Sequence, residues 1–332
     1  MPQPNGSPRL RTRKGLLLIA FGGLLYTLDL PLLRLSLAKS SDMAFGRGAF
    51  LFISLTVIWA ITRWWQGNRK PFIAGVEGLS VIVTIAMSSL CYVEAVAGTN
   101  AANVVFITAL IPLITAIFSH VFVGEKVHAI TWLAALVAFF SVAAIVWNGI
   151  NVGYWYGDLM ALFAAFFTST TFTIIRASGK DMTASLALGS LASAMAAWLF
   201  FGAAPLALLA PSSFGFPAWV WLALNGLLAI PIASALFAAG PRYLPSTDVS
   251  MFFLLETVLT PILAWFIFGE TPGLVVLISG AVLIITLAIH SLWRLNVQFD
   301  VRMTRSSGQS RLKFRTRRTI RQSLALPARG AP

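Results

Sequence analysis

The sequence predicts an all-α polytopic membrane protein, with ten transmembrane helices built as two inverted five-helix repeats. Three observations carry this. First, the 332 residues are 58% hydrophobic and only 11% charged, against about 25% charged in a soluble domain, so lipid is the expected solvent. Second, ten windows approach the roughly 20 apolar residues that a helix needs to cross hydrocarbon. Third, the second half repeats polar landmarks of the first in register.

In chain order the spans are expected near 16–35, 44–62, 73–95, 101–123, 129–148, 156–175, 184–209, 218–239, 247–268 and 273–293. The short connections carry helix-ending punctuation, among it Gly67, Asn68, Gly98, Gly124, Gly153, Gly179, Pro211, Pro241 and Gly269. Residues 1–14, MPQPNGSPRLRTRK, read as a basic cytoplasmic segment rather than a cleaved leader: no suitable small-residue cleavage site is present, and the first apolar run is long enough to span. Residues 15–148 and 149–293 are the two repeats, and 294–332 a basic, disordered cytoplasmic tail. With both termini cytoplasmic, twenty-one Lys and Arg fall inside and three, Arg34, Lys39 and Arg47, fall in outer loops or outer helix ends. The net charge of +13 is therefore mostly topology. The tail run RLKFRTRRTIRQS is expected to be solvated or to rest on anionic lipid headgroups; it lacks the aromatic interleaving of a nucleic-acid binder. Cys91, the single cysteine, falls in a span, which excludes a disulfide framework and a CxxC metal pair. No metal and no cofactor is expected.

A shift of 145 residues lays Gly124 and Glu125 on Gly269 and Glu270, Asn103 and Val104 on Asp248 and Val249, and Thr115 on Thr260. A shift of 139 lays Asp42 and Met43 on Asp181 and Met182, and Trp59 on Trp198. Five spans is an odd number, so the second repeat enters the membrane upside down relative to the first. Inverted repeats are how many secondary transporters build two alternative gates around one central site.

The stretches IPLITAIFSHVFVGEK (111–126) and ETVLTPILAWFIFGET (256–271), each an apolar, Pro-containing helix closing on Gly-Glu, resemble the EamA repeats of the drug/metabolite transporter (DMT) superfamily. The preceding AVAGTNAANV and GPRYLPSTDV, and FGRGAF (45–50) with its early arginine, fit the same pattern. The resemblance covers roughly 15–293. It implies an EamA-type ten-helix secondary transporter of small organic metabolites, amino-acid-like or drug-like, exporting by alternating access across the cell (inner) membrane. It names neither the substrate nor the coupling ion. One departure is plain: Pro112 is matched by Thr257, and Pro261 follows four residues later, so kinks are expected at different positions in the two halves.

Charge at a helix centre costs about 2.5–3.5 kcal/mol on insertion scales, so it marks a partner or a task. Glu256, near the middle of its window, is the leading candidate for contact with a substrate cation or for a proton carrier; the structural alternative is a carboxyl hydrogen-bonded to a neighbouring helix. Asp29, Arg47 and Glu94 fall toward the outer ends of their spans, where a cation with one or two acids would form a cluster able to open with an outer gate. Snorkelling is the alternative for Arg47, and suits Arg34 and Lys39 better. Asn100 and Asn103, three apart, share a helix face. Beside a helix N-terminus their amides could hold a substrate carboxylate, with capping alone the alternative for Asn100. Tyr92 is a candidate aromatic platform. Gly124 with Glu125, and Gly269 with Glu270, read as structural hairpin caps: the glycine ends one helix and the carboxylate favours the positive end of the next. Glu77 and His120 are weaker candidates.

No HExxH, GxSxG or glycine-rich phosphate loop is present, so no catalytic residue is assigned and the chain is not read as an enzyme. Without an ATP-binding motif, transport would be secondary. The expected partners are a small-molecule substrate, membrane lipid and, as coupling ion, protons. The competing reading is a non-transporting scaffold or sensor that keeps the helices but has no need of an acid at mid-bilayer.

Overall fold

A computed structural model describes residues 8–66, 73, 75–124, 128–239, 253–290 and 292–293. Among these, the regular elements are helical; one isolated bridge pairs Pro211 with Pro217 in a loop. Eight helices are long and apolar enough to cross a membrane: Leu17–Leu35, Ser40–Trp65, Gly75–Gly98, Ala101–Val123, Ala129–Ile150, Trp155–Ser178, Thr183–Phe200 and Ala218–Leu236. Two shorter apolar helices, Leu255–Phe268 and Leu274–His290, follow. These ten are numbered here as spans one to ten. Glu125, the stretch 240–252 with the start of the ninth expected window, and the basic tail lie outside the described residues. The surface is apolar and the interior partly polar, as lipid demands: Phe21, Phe122, Phe139, Trp147 and Phe266 are exposed, while Asp29, Arg47, Asn103, Asp158 and Asn225 are buried.

Span seven ends earlier than its sequence window, at Phe200. Gly202 turns the chain in the left-handed region (φ 68), and the Ala203 N–H returns to the Ala197 carbonyl at 3.0 Å. Pro205 then opens a separate 3₁₀ turn, Pro205–Leu209.

Three spans are interrupted ahead of a proline. Span one breaks between Thr27 and Asp29. Pro31 has no N–H to offer the Thr27 carbonyl four residues back, and the Thr260 hydroxyl of span nine reaches that carbonyl at 3.4 Å. Span four breaks between Thr108 and Ile111, where Pro112 deprives the Thr108 carbonyl in the same way. Span eight carries a π turn, Leu224–Ala229, ahead of Pro231. In i→i+5 spacing the Gly226 carbonyl would seek residue 231, a proline; Ser54 of span two donates to it instead, at 2.9 Å. Pro261, by contrast, lies inside the continuous helix Phe253–Phe268. Of the matched pair, span four is broken and span nine, from Phe253 on, is not, although different positions of kinks in the two halves were expected.

One hydrogen bond shows that the halves run in opposite directions. The Ala101 N–H, at the start of span four, donates to Glu270, just past the end of span nine, at 3.0 Å. Spans four and nine are the matched pair, so one begins where the other finishes. Arg34, at the end of span one, donates to the carbonyls of Val96 and Thr99, at the end of span three. The Thr99 hydroxyl in turn donates to Asp158, at the start of span six. These residues define one end of the bundle, the Arg34 end. At the opposite end Glu77 of span three pairs with Lys180 beyond span six at 3.1 Å. Span three packs along span six, and span two along span seven. Small residues permit this: a Cβ on Gly157 would collide with the backbone of Gly98, and one on Gly48 would stand 2.6 Å from the Ser190 carbonyl oxygen.

Candidate functional site

The break in span one places Asp29 in the first turn of the short helix Asp29–Leu35. Two side chains converge on its carboxylate. Arg47, in the second turn of span two, donates from Nη2 to both oxygens at 3.0 and 3.2 Å, and both side chains are about 10% exposed. Asn225, fully buried in the π turn of span eight, donates from Nδ2 to Asp29 Oδ1 at 2.7 Å and to the Asp29 carbonyl at 3.1 Å. The Arg47 guanidinium carbon lies 4.8 Å from the centre of the Tyr92 ring on span three, a cation–π contact. Two irregular helices thus supply the acid and the amide, and two regular ones the cation and the aromatic face.

The cluster has bonding capacity left over. Arg47 Nε and Asn225 Oδ1 are buried with no hydrogen-bond partner among the described residues. Glu256 of span nine, half-buried, makes no hydrogen bond or ion pair among them either. Asp29, Arg47, Tyr26 and Tyr92 are its electrostatic neighbours, which puts its carboxyl in the vicinity of the cluster. Tyr26 of span one shares a hydrogen bond of 2.8 Å with Ser234 of span eight. Chemically, this is a buried ion pair with a second acid in its vicinity, groups of both signs gathered inside the bundle.

The other sequence candidates lie elsewhere. Asn103 does not join this cluster: its amide N–H groups go to Asp158 Oδ1 at 2.9 Å and to Thr99 Oγ1 at 3.2 Å. Asn100 occupies the N-cap of span four in extended conformation, with no side-chain cap bond. Glu94, half-buried, is an electrostatic neighbour of Cys91 and Tyr156, and no ion pair between it and Arg47 is found among the described residues. Gly124 and Gly269 take the left-handed conformation at helix ends, φ 75 and 68. Glu125 lies outside the described residues. Glu270, read from sequence as the cap of the helix after it, bonds the first N–H of span four and forms an ion pair with Arg34.

Two buried polar residues escape the sequence reading. Asn225 is an isolated amide in WLALNGLLAIP, and an uncharged residue in an apolar span carries little signal; its proximity to Pro231 is the clue. Asp158, in WYGDLM, reads as an ordinary first-turn acid, although that turn is already inside an apolar window.

The comparisons with known proteins agree with this architecture. The model of the EamA-like transporter family matches the chain twice, at 13–147 and 155–292, once per repeat. Uncharacterized transporter sll1164 of Synechocystis sp. (strain ATCC 27184 / PCC 6803 / Kazusa) is 25% identical over 231 residues. That similarity takes in 62% of this chain and 63% of the relative, a little under two thirds of its length. A solved crystal structure, described only as that of a protein, has a TM-score of 0.57 at 17% identity over 84% of this chain and 98% of its own; it bears on fold alone. Two matches of one family model, covering most of 332 residues in two oppositely directed halves, place the chain in the EamA-like transporter family.

Proposed function

We propose that the protein is a secondary carrier that exports small amphoteric metabolites, amino-acid-like or drug-like, by alternating access. In this reading it lies in the cell (inner) membrane with both termini cytoplasmic, as the distribution of Lys and Arg supports. One observation carries the substrate class: the buried Asp29–Arg47 pair, held by Asn225 at two broken helices, has within its electrostatic reach a second acid, Glu256, that pairs with no other group among the described residues. Broken helices at the repeat interface are where such carriers place their sites. A substrate carboxylate takes Arg47 from Asp29, and its ammonium is then received by Asp29 or Glu256. The Tyr92 face keeps the guanidinium from drifting while partners exchange. The Arg34 end serves as the outer gate.

The test is counterflow in proteoliposomes loaded with pooled amino acids. The wild-type chain is expected to give saturable exchange of at least one of them. Arg47→Gln is expected to lower its apparent affinity about tenfold or more, since a hydrogen bond to a charged group contributes about 1.5–3 kcal/mol. Absence of flux for every solute class offered, from protein that is folded and correctly inserted, leaves the scaffold reading in its place.

A further inference from the structure

Asp158 is 0% exposed and stands in the first turn of span six, yet its carboxyl serves other helices. Oδ1 accepts the Thr99 hydroxyl at 2.6 Å and the Asn103 amide at 2.9 Å. Oδ2 is equally buried and has no hydrogen-bond partner among the described residues; the same is true of Asn103 Oδ1. On the side of span five, Gly149 fits against Oδ2 so closely that a methyl group there would collide with it. No lysine, arginine or histidine among the described residues pairs with this carboxyl. Arg34 and Glu270, at the same end of the bundle, are paired with each other and bond the backbone of Val96, Thr99 and Ala101. Glu94 of span three and Tyr156 of span six lie close to one another beside the junction.

Two buried acceptor oxygens, on side chains that bond each other, are thus left unfilled. A lone carboxylate at such depth is costly unless a positive charge accompanies it, and each unmet buried acceptor adds to that cost. We propose that Asp158, Asn103 and Thr99 form a binding site for a small monovalent cation, proton or sodium, that is coupled to transport. A proton resides on Oδ2 as an O–H group; a sodium ion is held by Oδ2 with the Asn103 carbonyl oxygen. In both cases the shared chemistry is one positive charge delivered to Oδ2.

The position gives that charge leverage. Thr99 offers its side chain to the site while its own carbonyl accepts from Arg34. Ala101, two residues on, donates to Glu270. Filling or emptying the site therefore acts on the short segment 99–103, which also closes the Arg34 end. This use of the site rests on the carrier reading; the binding itself needs no substrate.

The experiment uses purified full-length protein without substrate. Thermal unfolding is followed in sodium chloride against choline chloride at constant pH, and in sodium-free buffer across mildly acidic to mildly alkaline pH. One of the two ions is expected to raise the wild-type midpoint by roughly 2–4 °C, and that ion identifies the ligand. Asp158→Asn is expected to abolish the response, Asn103→Ala to weaken the apparent affinity about tenfold or more, and Glu256→Gln to retain it. Infrared spectra of wild-type protein carrying isotope-labelled aspartate give a readout that needs no variant: the carboxyl band shifts when the ion is added. A wild-type midpoint and carboxyl band indifferent to both ions, or an Asp158→Asn variant with the full response, overturns the site. Ion binding without solute flux sinks the carrier reading and leaves the site standing.

Discussion

Asp29 is the hub on which the central cluster depends, because Arg47 and Asn225 reach it from different helices. Removing one partner of a buried pair leaves an uncompensated charge, which costs about 3–5 kcal/mol. Asp29→Asn and Arg47→Gln are each expected to destabilise by that order, and the double variant by less than their sum. Unfolding in detergent with all three variants closes the cycle; strict additivity would mean that the two side chains do not interact. Asp29, Arg47, Tyr92 and Glu256 were legible in the sequence because charged and aromatic groups in apolar windows stand out. The sequence grouped Asp29, Arg47 and Glu94; the structure bonds the first two, and Asn225 was not foreseen, since an amide barely disturbs hydropathy. Asn103 was legible as polar, but its partner was not: Asp158 lies fifty-five residues away on a helix whose first turn disguises it.

The prolines decide where the spans break, yet position alone does not fix the outcome. Pro31, Pro112 and Pro231 each lie next to an interruption, while Pro261 rides inside a continuous helix. The deprived carbonyls at Thr27 and Gly226 are met by hydroxyls from other spans, and such tertiary partners cannot be read from local sequence. Pro31→Ala is expected to restore an N–H for the Thr27 carbonyl, straighten span one and carry Asp29 away from Asn225. Unfolding and counterflow measured together should show unchanged or raised stability with transport lost; transport at the wild-type rate would mean that the break is dispensable. Packing tolerances are equally specific. Gly157→Ala sets a methyl group against the Gly98 backbone, which cannot rotate aside. It is expected to destabilise by about 1–3 kcal/mol, as other overpacked sites do, read as a lowered midpoint of unfolding.

For the whole molecule, the repeat register predicted the architecture well, because helix lengths, hairpin glycines and the odd span count constrain it jointly. Gly124 and Gly269 fall at opposite ends of the bundle, since span four begins where span nine finishes. Single cysteines introduced beside each, in a Cys91→Ser background, should react with an impermeant reagent from opposite sides of the membrane; labelling from one side only contradicts the inverted arrangement. Less legible were the ties at each end. The Arg34 end is bound by a cation, an acid, two carbonyls and a helix N–H drawn from spans one, three and four and the loop after span nine. At the other end the bond between spans three and six is a solvent-exposed pair, Glu77 with Lys180.

That knot around Arg34 has a kinetic corollary. One guanidinium ties several strands of the bundle at once, so loosening any of them alone leaves the rest still fastened. In the proposed carrier cycle, separation there is therefore expected as one concerted event. Tightness at that end would then come from the number of simultaneous ties rather than from the closeness of any seal.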